Sequence, residues 1–389
     1  MNMPHLLCLT ALCHALSISA TQILLGVLIV ILFKKSILEG AFRWFETPYT
    51  PLVIGVVLSG LLSTLLGVDP SRSIRGFSGV WVMFFLFVGL FLVRKADVPT
   101  IFFWLILGGD IAASVVFGQK IGGFYVRGFY SHLLTYGNVI SMYITLCGSL
   151  MAAGLVNSGK EKTFYAASMV FMGASLILSL ERGPIIFTAI TLALIILYRF
   201  KLKGVVGAGL LIFLVSAAFI LTPGSGKSLT ELKVGWGDPR TSVGTRLVLW
   251  KTAAQLVRKH PVFGIGEENF QLEAEKRIRV QVNATCHAHN AYLQYLVTHG
   301  AVGLLALLAL FVKMIRDMAK SLFGGREPIV LVGLSLSTVF LLQGLTEDNF
   351  SDDEVAMVFW FLSGIVLGCL RSPSQPGQES AKIPPPKKW

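Results

Sequence analysis

Apolar runs about as long as one membrane helix recur along almost the whole chain. Because a bilayer core needs about 20 apolar residues per helix, each run is a candidate span. The first run, 5–33, is long for one span, and its polar break at 17–21 favours two short helices. Ten further candidates lie at 49–67, 77–93, 99–118, 136–155, 163–180, 184–199, 204–222, 290–313, 328–346 and 354–370. The sequence predicts an all-α, polytopic membrane helical bundle of about 12 transmembrane helices with one large helical outer loop.

Composition excludes a large soluble core. Only 14% of the residues are charged and 54% are hydrophobic, whereas soluble domains carry about a quarter charged residues. The net charge of +12 would suggest a nucleic-acid partner in a soluble protein. No nucleic-acid-binding motif accompanies it here, so the charge is better explained by loops that face the cytoplasm.

The distribution of Lys and Arg fixes an orientation. If both termini are cytoplasmic, basic residues collect in the inner loops, and the short outer loops carry only Arg72, Arg75, Lys120, Arg127 and Arg182. This asymmetry follows the positive-inside rule. We therefore expect a multi-pass protein of the bacterial inner membrane, with its outer loops in the periplasm.

One connection is much longer than the others. Residues 1–222 are expected to hold about nine transmembrane helices, and 223–288 a periplasmic loop with two short helices at 243–259 and 267–279. Residues 289–370 should add about three transmembrane helices. The tail 371–389, rich in Ser, Pro, Gln and Lys, is expected to be disordered and cytoplasmic.

Arg246 is the first candidate site residue. On a helical wheel it falls within an apolar arc of the 243–259 helix that contains Leu247, Trp250 and Ala253, opposite a polar arc with Lys251. Arg246 could simply reach outward from the helix start. Otherwise it needs an anionic partner on that side, and a bidentate phosphate contact suits a guanidinium.

A histidine pair lies where the long loop meets a membrane helix, in the sequence CHAHN at 286–290. Asn290 can cap the helix, with the histidines incidental. Alternatively, the helix N-terminus keeps the imidazole of His289 neutral, which suits a general base, with His287 secondary. A zinc site is less favoured because no third ligand has convincing spacing.

Three other outer segments carry candidate groups. The hairpin around Glu181 and Arg182 places an arginine between two spans, with Pro184 suited to the first helical turn. Arg127 is a similar residue in another outer loop. The acidic run 347–354 could bind a divalent cation, but a solvated loop explains it more simply.

Four segments together resemble the O-antigen ligase and polymerase family. They are GTRLVLW at 244–250, PVFGIGEENF at 261–270, HNAYLQ at 289–294 and GAVG at 300–303. Their order and spacing match over roughly residues 180–310. The resemblance implies a membrane glycosyltransferase of the C-type class that takes a glycan from undecaprenyl pyrophosphate on the periplasmic side, with no cofactor, nucleotide or metal.

The resemblance also implies residue roles. His289 matches the catalytic histidine, while Arg246 and Arg182 match the arginines that hold the pyrophosphate. The match at Arg182 is weaker, because Glu181 stands where the family often has Ser. Ligases of the family transfer the glycan to a sugar hydroxyl of lipid A-core, and polymerases transfer it to another repeat unit. The compact chain with one dominant outer loop favours a ligase.

A transporter or flippase is the alternative outside the enzymes. Such proteins often show repeated halves and charged residues near mid-span. The sequence has no evident internal repeat, and its predicted span centres are almost free of charge. The expected partners are therefore the lipid-linked glycan, the lipid A-core acceptor and membrane lipids, without nucleic acid.

Overall fold

A computed structural model describes residues 2–38, 46–234, 236, 238–282, 285–325 and 327–371. Within these residues every regular element is a helix, which confirms the all-α prediction. The predicted disordered tail lies outside the described residues except for Arg371. The helices are α1 Met3–Leu16, α2 Ile18–Leu38, α3 Thr50–Leu66, α4 Pro70–Phe77, α5 Phe84–Leu92, α6 Val98–Ile121, α7 Leu133–Ala152, α8 Gly159–Ser179, α9 Arg182–Phe200, α10 Gly204–Leu221, α11 Ser225–Val234, α12 Ser242–Lys259, α13 Phe270–Glu275, α14 Ala291–Phe323, α15 Val330–Gln343 and α16 Asp353–Cys369.

Several of these helices suit a bilayer. In the described parts of the chain, seven helical stretches are long and apolar enough to cross a membrane, and three shorter apolar helices accompany them. The longest stretch, Arg182–Leu221, turns at Lys201–Lys203, so that α9 and α10 pack against each other as two helices. The chain is a multi-pass membrane protein, and the number of about twelve spans stays a prediction.

The helices differ in how deeply they lie in the bundle. Helices α5 and α16 pack closely, because Gly89 and Gly364 let the two backbones approach each other. Small residues of this kind permit close helix packing in membranes. By contrast, α10 buries only Gly204 and Ala208, which leaves most of its apolar surface on the outside of the bundle.

Helix α14 is interrupted at Gly300, whose φ of 67° is non-helical. The segment 261–266 fills the interruption. Ile265 and Gly266 donate backbone hydrogen bonds to the carbonyls of Val297 and Thr298, both at 2.9 Å. Ala301 donates to the carbonyl of Pro261, also at 2.9 Å. Buried backbone groups need partners, so this segment stabilises the break and fixes the first part of α14.

Glycine is required on both sides of this contact. Gly264 has φ +72°, and a Cβ there would collide with the carbonyl of Thr298. A Cβ on Gly300 would likewise collide with the carbonyl of Val262. Two of the segments that carry the family resemblance are therefore one structural unit, which holds the helix that follows His289.

The connections α8–α9 and α15–α16 meet the residues before α14 at one end of the bundle, here called the site end. Ala291 donates its backbone N–H to the carbonyl of Gly344 at 2.7 Å. The Asn290 side chain donates to the carbonyl of Leu345 at 3.1 Å. At Gly183 a Cβ would lie 2.8 Å from Oγ1 of Thr346. Three segments distant in sequence thus converge at this end.

The segment predicted as the large outer loop differs from expectation in two ways. Its described residues contain three helices instead of two, because α11 was not foreseen and the second predicted helix is shortened to α13. The buried face of α12 is also rotated from the predicted apolar arc. It contains Leu249, Ala253 and Leu256, while Arg246 lies beside it. The division of the chain into domains remains a prediction.

Candidate functional site

One carboxylate joins Arg246 and His289 at the site end. Nη2 of Arg246 lies 2.6 Å from Oε1 of Glu347, and Nδ1 of His289 lies 3.1 Å from Oε2 of the same carboxylate. The Glu347 side chain is only 7% exposed, against 22% for Arg246 and 16% for His289. A buried carboxylate with two cationic or hydrogen-bonding partners forms a tightly organised polar centre.

Helix α12 presents Arg246 to this centre. Thr241 caps the helix, because its side chain accepts a hydrogen bond from the backbone N–H of Gly244. One turn on, Nη1 of Arg246 donates to the Ser242 hydroxyl at 2.9 Å. The indole N–H of Trp250 donates to the carbonyl of Ala288 at 2.9 Å. The helix that carries the arginine is thereby joined to the segment that carries the histidines.

His289 lies in a turn that directly precedes α14. Its φ of +49° is in the left-handed region, which is uncommon for residues other than glycine. Its backbone N–H donates to Nδ1 of His287 at 3.2 Å, and the two rings are 4.1 Å apart. Asn290 then caps α14, accepting from the backbone N–H of Leu293 at 2.9 Å. The predicted cap is confirmed.

The interpretation of the acidic run 347–354 as a solvated loop is wrong at its most important residues. Glu347, Asn349 and Glu354 are buried. Burial alone would raise the pKa of Glu347, but the hydrogen bond from His289 and the charges of His289 and Arg246 outweigh it and lower that pKa. Glu347 is therefore ionised, and sequence reasoning missed it because its partners are distant in the chain.

The predicted arginine hairpin lies beside the same centre. Arg182 begins α9 and is half-buried, with Pro184 in the first helical turn as predicted. The pKa of the neighbouring Glu181 is raised to about 7, first by burial and then by the charge of Glu347, while Arg246 and Arg182 oppose the shift. Glu181 thus adds a carboxyl group whose charge changes near neutral pH.

Arg127 occupies a different place. It is exposed and lines a cavity of about 580 Å³ together with Ser131 and the acidic residues Asp352, Asp353 and Glu354. In the described structure, neither Arg246 nor His289 lines this cavity. The sequence suggested similar roles for Arg127 and Arg182. In the fold, Arg182 lies near Arg246 and Glu347, whereas Arg127 lines a separate cavity.

The two histidines have a third potential metal ligand as neighbour. The donor atoms of Cys286, His287 and His289 lie within 4.8 Å of one another. Spacing in the sequence did not indicate this group, because the left-handed turn at His289 creates it. The pKa of His287 is lowered to about 4, first by burial and then by the charge of His289, so this ring is neutral at pH 7.

A known protein family matches the part of the chain that contains most of these residues. The model for the O-antigen ligase domain matches residues 167–308, a little more than a third of the chain. This segment is similar to the O-antigen ligase domain. The match supports an O-antigen ligase or polymerase-like function, that is, a glycosyltransferase-like enzyme that acts on lipid-linked glycan and lipid acceptor substrates in general.

The family segment contains Arg182, Arg246, His287, His289 and Asn290, whereas Arg127 and Glu347 lie outside it. No curated protein sequence gave a significant match. The predicted family resemblance is confirmed, and the Arg246–Glu347–His289 contact joins the family segment to the α15–α16 connection.

Proposed function

We propose that this chain is an O-antigen ligase that transfers a glycan from undecaprenyl pyrophosphate to a sugar hydroxyl of lipid A-core. One observation carries the proposal: the single buried carboxylate of Glu347 contacts both Arg246 and His289. An anion-binding group and a potential base are thereby held side by side, as transfer from a lipid pyrophosphate to a hydroxyl requires.

His289 is the general base in this proposal. With Glu347 accepting a hydrogen bond from Nδ1–H, the tautomer leaves Nε2 free to accept a proton. The acceptor hydroxyl loses its proton to Nε2 as its oxygen attacks the anomeric carbon, and the bond from that carbon to the pyrophosphate oxygen breaks. Glu347 then stabilises the imidazolium that forms. His287 and Asn290 act by orienting His289.

Arg246 and Arg182 bind the pyrophosphate in this proposal. A guanidinium offers a planar set of donors that matches phosphate oxygens. Developing negative charge on the leaving pyrophosphate is stabilised by such preorganised donors. Arg246 is oriented in advance by Ser242 and Glu347, so part of its conformational freedom is already lost before the donor binds.

The proposed site faces the periplasm of an inner-membrane protein, with residues 223–288 as the periplasmic loop and both termini cytoplasmic. The exposed native thiol of Cys286 offers a direct probe. A membrane-impermeant thiol reagent should label it in outer-membrane-permeabilised cells, and Cys286→Ser should abolish that label. Labelling of Lys203→Cys in the Cys286→Ser background, without labelling of Cys286 in the native chain, contradicts this orientation.

The lipopolysaccharide pattern of a deletion strain tests the reaction. We expect lipid A-core without any polymeric chain, because polymer is made but not transferred. Restoration by the native gene and by Lys251→Ala, but not by His289→Ala, ties the phenotype to the site. A ladder reduced to one repeat unit indicates a polymerase. Failure of lipid-linked glycan to reach the periplasm indicates a flippase.

A further inference from the structure

The cluster of Cys286, His287 and His289 has the chemistry of a metal site. Its three donor atoms lie within 4.8 Å of one another. Thiolate and imidazole together are ligands that zinc prefers. Ligands of a tetrahedral zinc ion lie about 3.3–3.8 Å apart, given metal–ligand distances of about 2.0–2.3 Å. The limit of 4.8 Å is wider than that range, so side-chain rotation would have to accompany metal binding.

The local backbone explains why neighbouring residues converge. The left-handed conformation of His289 turns its ring toward that of His287, and the ring centres are 4.1 Å apart. Cys286 is exposed, so the open side of the cluster faces solvent. A metal ion can therefore reach the cluster without unfolding α14 or the Asn290 cap.

The hydrogen bond between Glu347 and Nδ1 of His289 leaves Nε2 available to a metal ion as well as to a proton. A histidine that binds a metal through one nitrogen commonly donates its other N–H to a carboxylate, which fixes the tautomer. Nδ1 of His289 is paired with Glu347, so Nε2 is the available ligand atom. In the proposed reaction, the same Nε2 lone pair accepts the proton. Metal binding and general-base action are mutually exclusive at one atom.

We propose that Cys286, His287 and His289 bind a zinc ion that inhibits the enzyme by occupying Nε2 of His289. The site itself depends only on these three side chains, whereas its inhibitory effect rests on the proposed function. Zinc at this position also adds positive charge beside Glu347, so the carboxylate would be shared between Arg246 and a metal-bound imidazole. Glycan transfer should therefore be slow whenever the ion is bound.

Metal binding is measured first, without reference to activity. Full-length protein in detergent is treated with a chelator, freed of it, and titrated with Co²⁺, whose bond to a thiolate gives a charge-transfer absorption band. We expect the band in the native chain and its displacement by Zn²⁺. Cys286→Ser should lack the band, and Cys8→Ser, a matched substitution at a half-buried cysteine, should keep it. Absence of the band in the native chain overturns the site.

Glycan transfer is measured next on the same preparations. With zinc at about ten times its dissociation constant, mass action leaves about a tenth of the protein metal-free, so transfer should fall about tenfold. Cys286→Ser should be active and resist zinc. If the native enzyme loses activity when the chelator removes its metal, the metal takes part in catalysis, and the proposed inhibition is wrong. If the native chain shows the cobalt–thiolate band but never transfers glycan, the metal site is supported and the proposed function is wrong.

Discussion

Among the residues that the structure describes, two histidine–glutamate pairs differ in their organisation, and one of them resembles a reactive centre. His289 and Glu347 are 3.1 Å apart at the site end, while His299 and Glu267 are 3.4 Å apart beside the break in α14. The first pair also contacts Arg246. In the second pair the imidazole is enclosed, and the His299 ring stacks on Tyr295 with the ring centres 4.1 Å apart.

The carboxylates of the two pairs are shifted in opposite directions. The pKa of Glu267 is raised to about 7, first by burial and then by the charge of Glu268. The pKa of Glu347 is lowered despite its burial, because His289 and Arg246 favour the charged form. The His299 side chain is 4% exposed and that of His289 is 16% exposed. A nearby cation and a more accessible imidazole thus distinguish the candidate active centre from the second pair.

The largest expected effect is at His289. Removal of a general base typically lowers the rate by about 10²–10⁴-fold, so His289→Ala should nearly abolish transfer by purified, chelator-treated enzyme. His287→Ala should retain much more activity. His299→Gln tests the second pair and should lower thermal stability with little effect on turnover of the folded protein. Full activity of His289→Ala would show that the base lies elsewhere.

Arg246 should come next. Arg246→Lys keeps the charge but loses the planar fork, and loss of one preorganised donor typically costs about 10²–10³-fold in rate. Steady-state transfer with lipid-linked donor measures this change. Lys251→Ala, on the exposed face of the same helix, should be mild. Equal tolerance of the two substitutions would reduce Arg246 to a residue that anchors the helix.

Glu347→Gln and Glu267→Gln compare the two carboxylates directly. Glu347→Gln removes an ionised group that orients His289, and we expect a loss of roughly 10–100-fold, typical for partners of functional histidines. Because the pKa of Glu267 is raised to about 7, a large share of its carboxyl groups is already protonated at pH 7, and Glu267→Gln should change transfer little. Thermal unfolding of both variants separates misfolding from lost turnover. A larger activity loss in Glu267→Gln would reverse the comparison.

The smallest expected effect is a pH dependence at Glu181. Because its pKa is raised to about 7, Glu181 is neutral below that pH and negative above it. A negative Glu181 repels the pyrophosphate, so the KM for donor should rise a few-fold as pH increases through about 7. Glu181→Gln should remove this rise while leaving kcat similar. An unchanged pH profile of KM in the variant contradicts the assignment.

The sequence was sufficient for the helical membrane fold and for the residues that carry the family motif. Apolar length decides which segments can span a bilayer, and that property is local. Glu347 was missed because its burial and its contacts depend on how α12, α14 and the α15–α16 connection pack together. An acidic run is solvated in most sequences, and only tertiary contacts distinguish the exceptions. Cys286 was missed as a ligand because a backbone turn, rather than residue spacing, brings it to the histidines.

The backbone contact at the α14 break has a consequence for exchanging parts between relatives. The segment 261–266 forms backbone hydrogen bonds with residues on both sides of Gly300. Replacing this segment alone, or the residues around Gly300 alone, would leave buried peptide groups unpaired. Residues 261–303 therefore form a single cassette. A chimera that moves the whole cassette should keep His289 in position, whereas a junction placed between Gly266 and Gly300 should give a poorly folded hybrid.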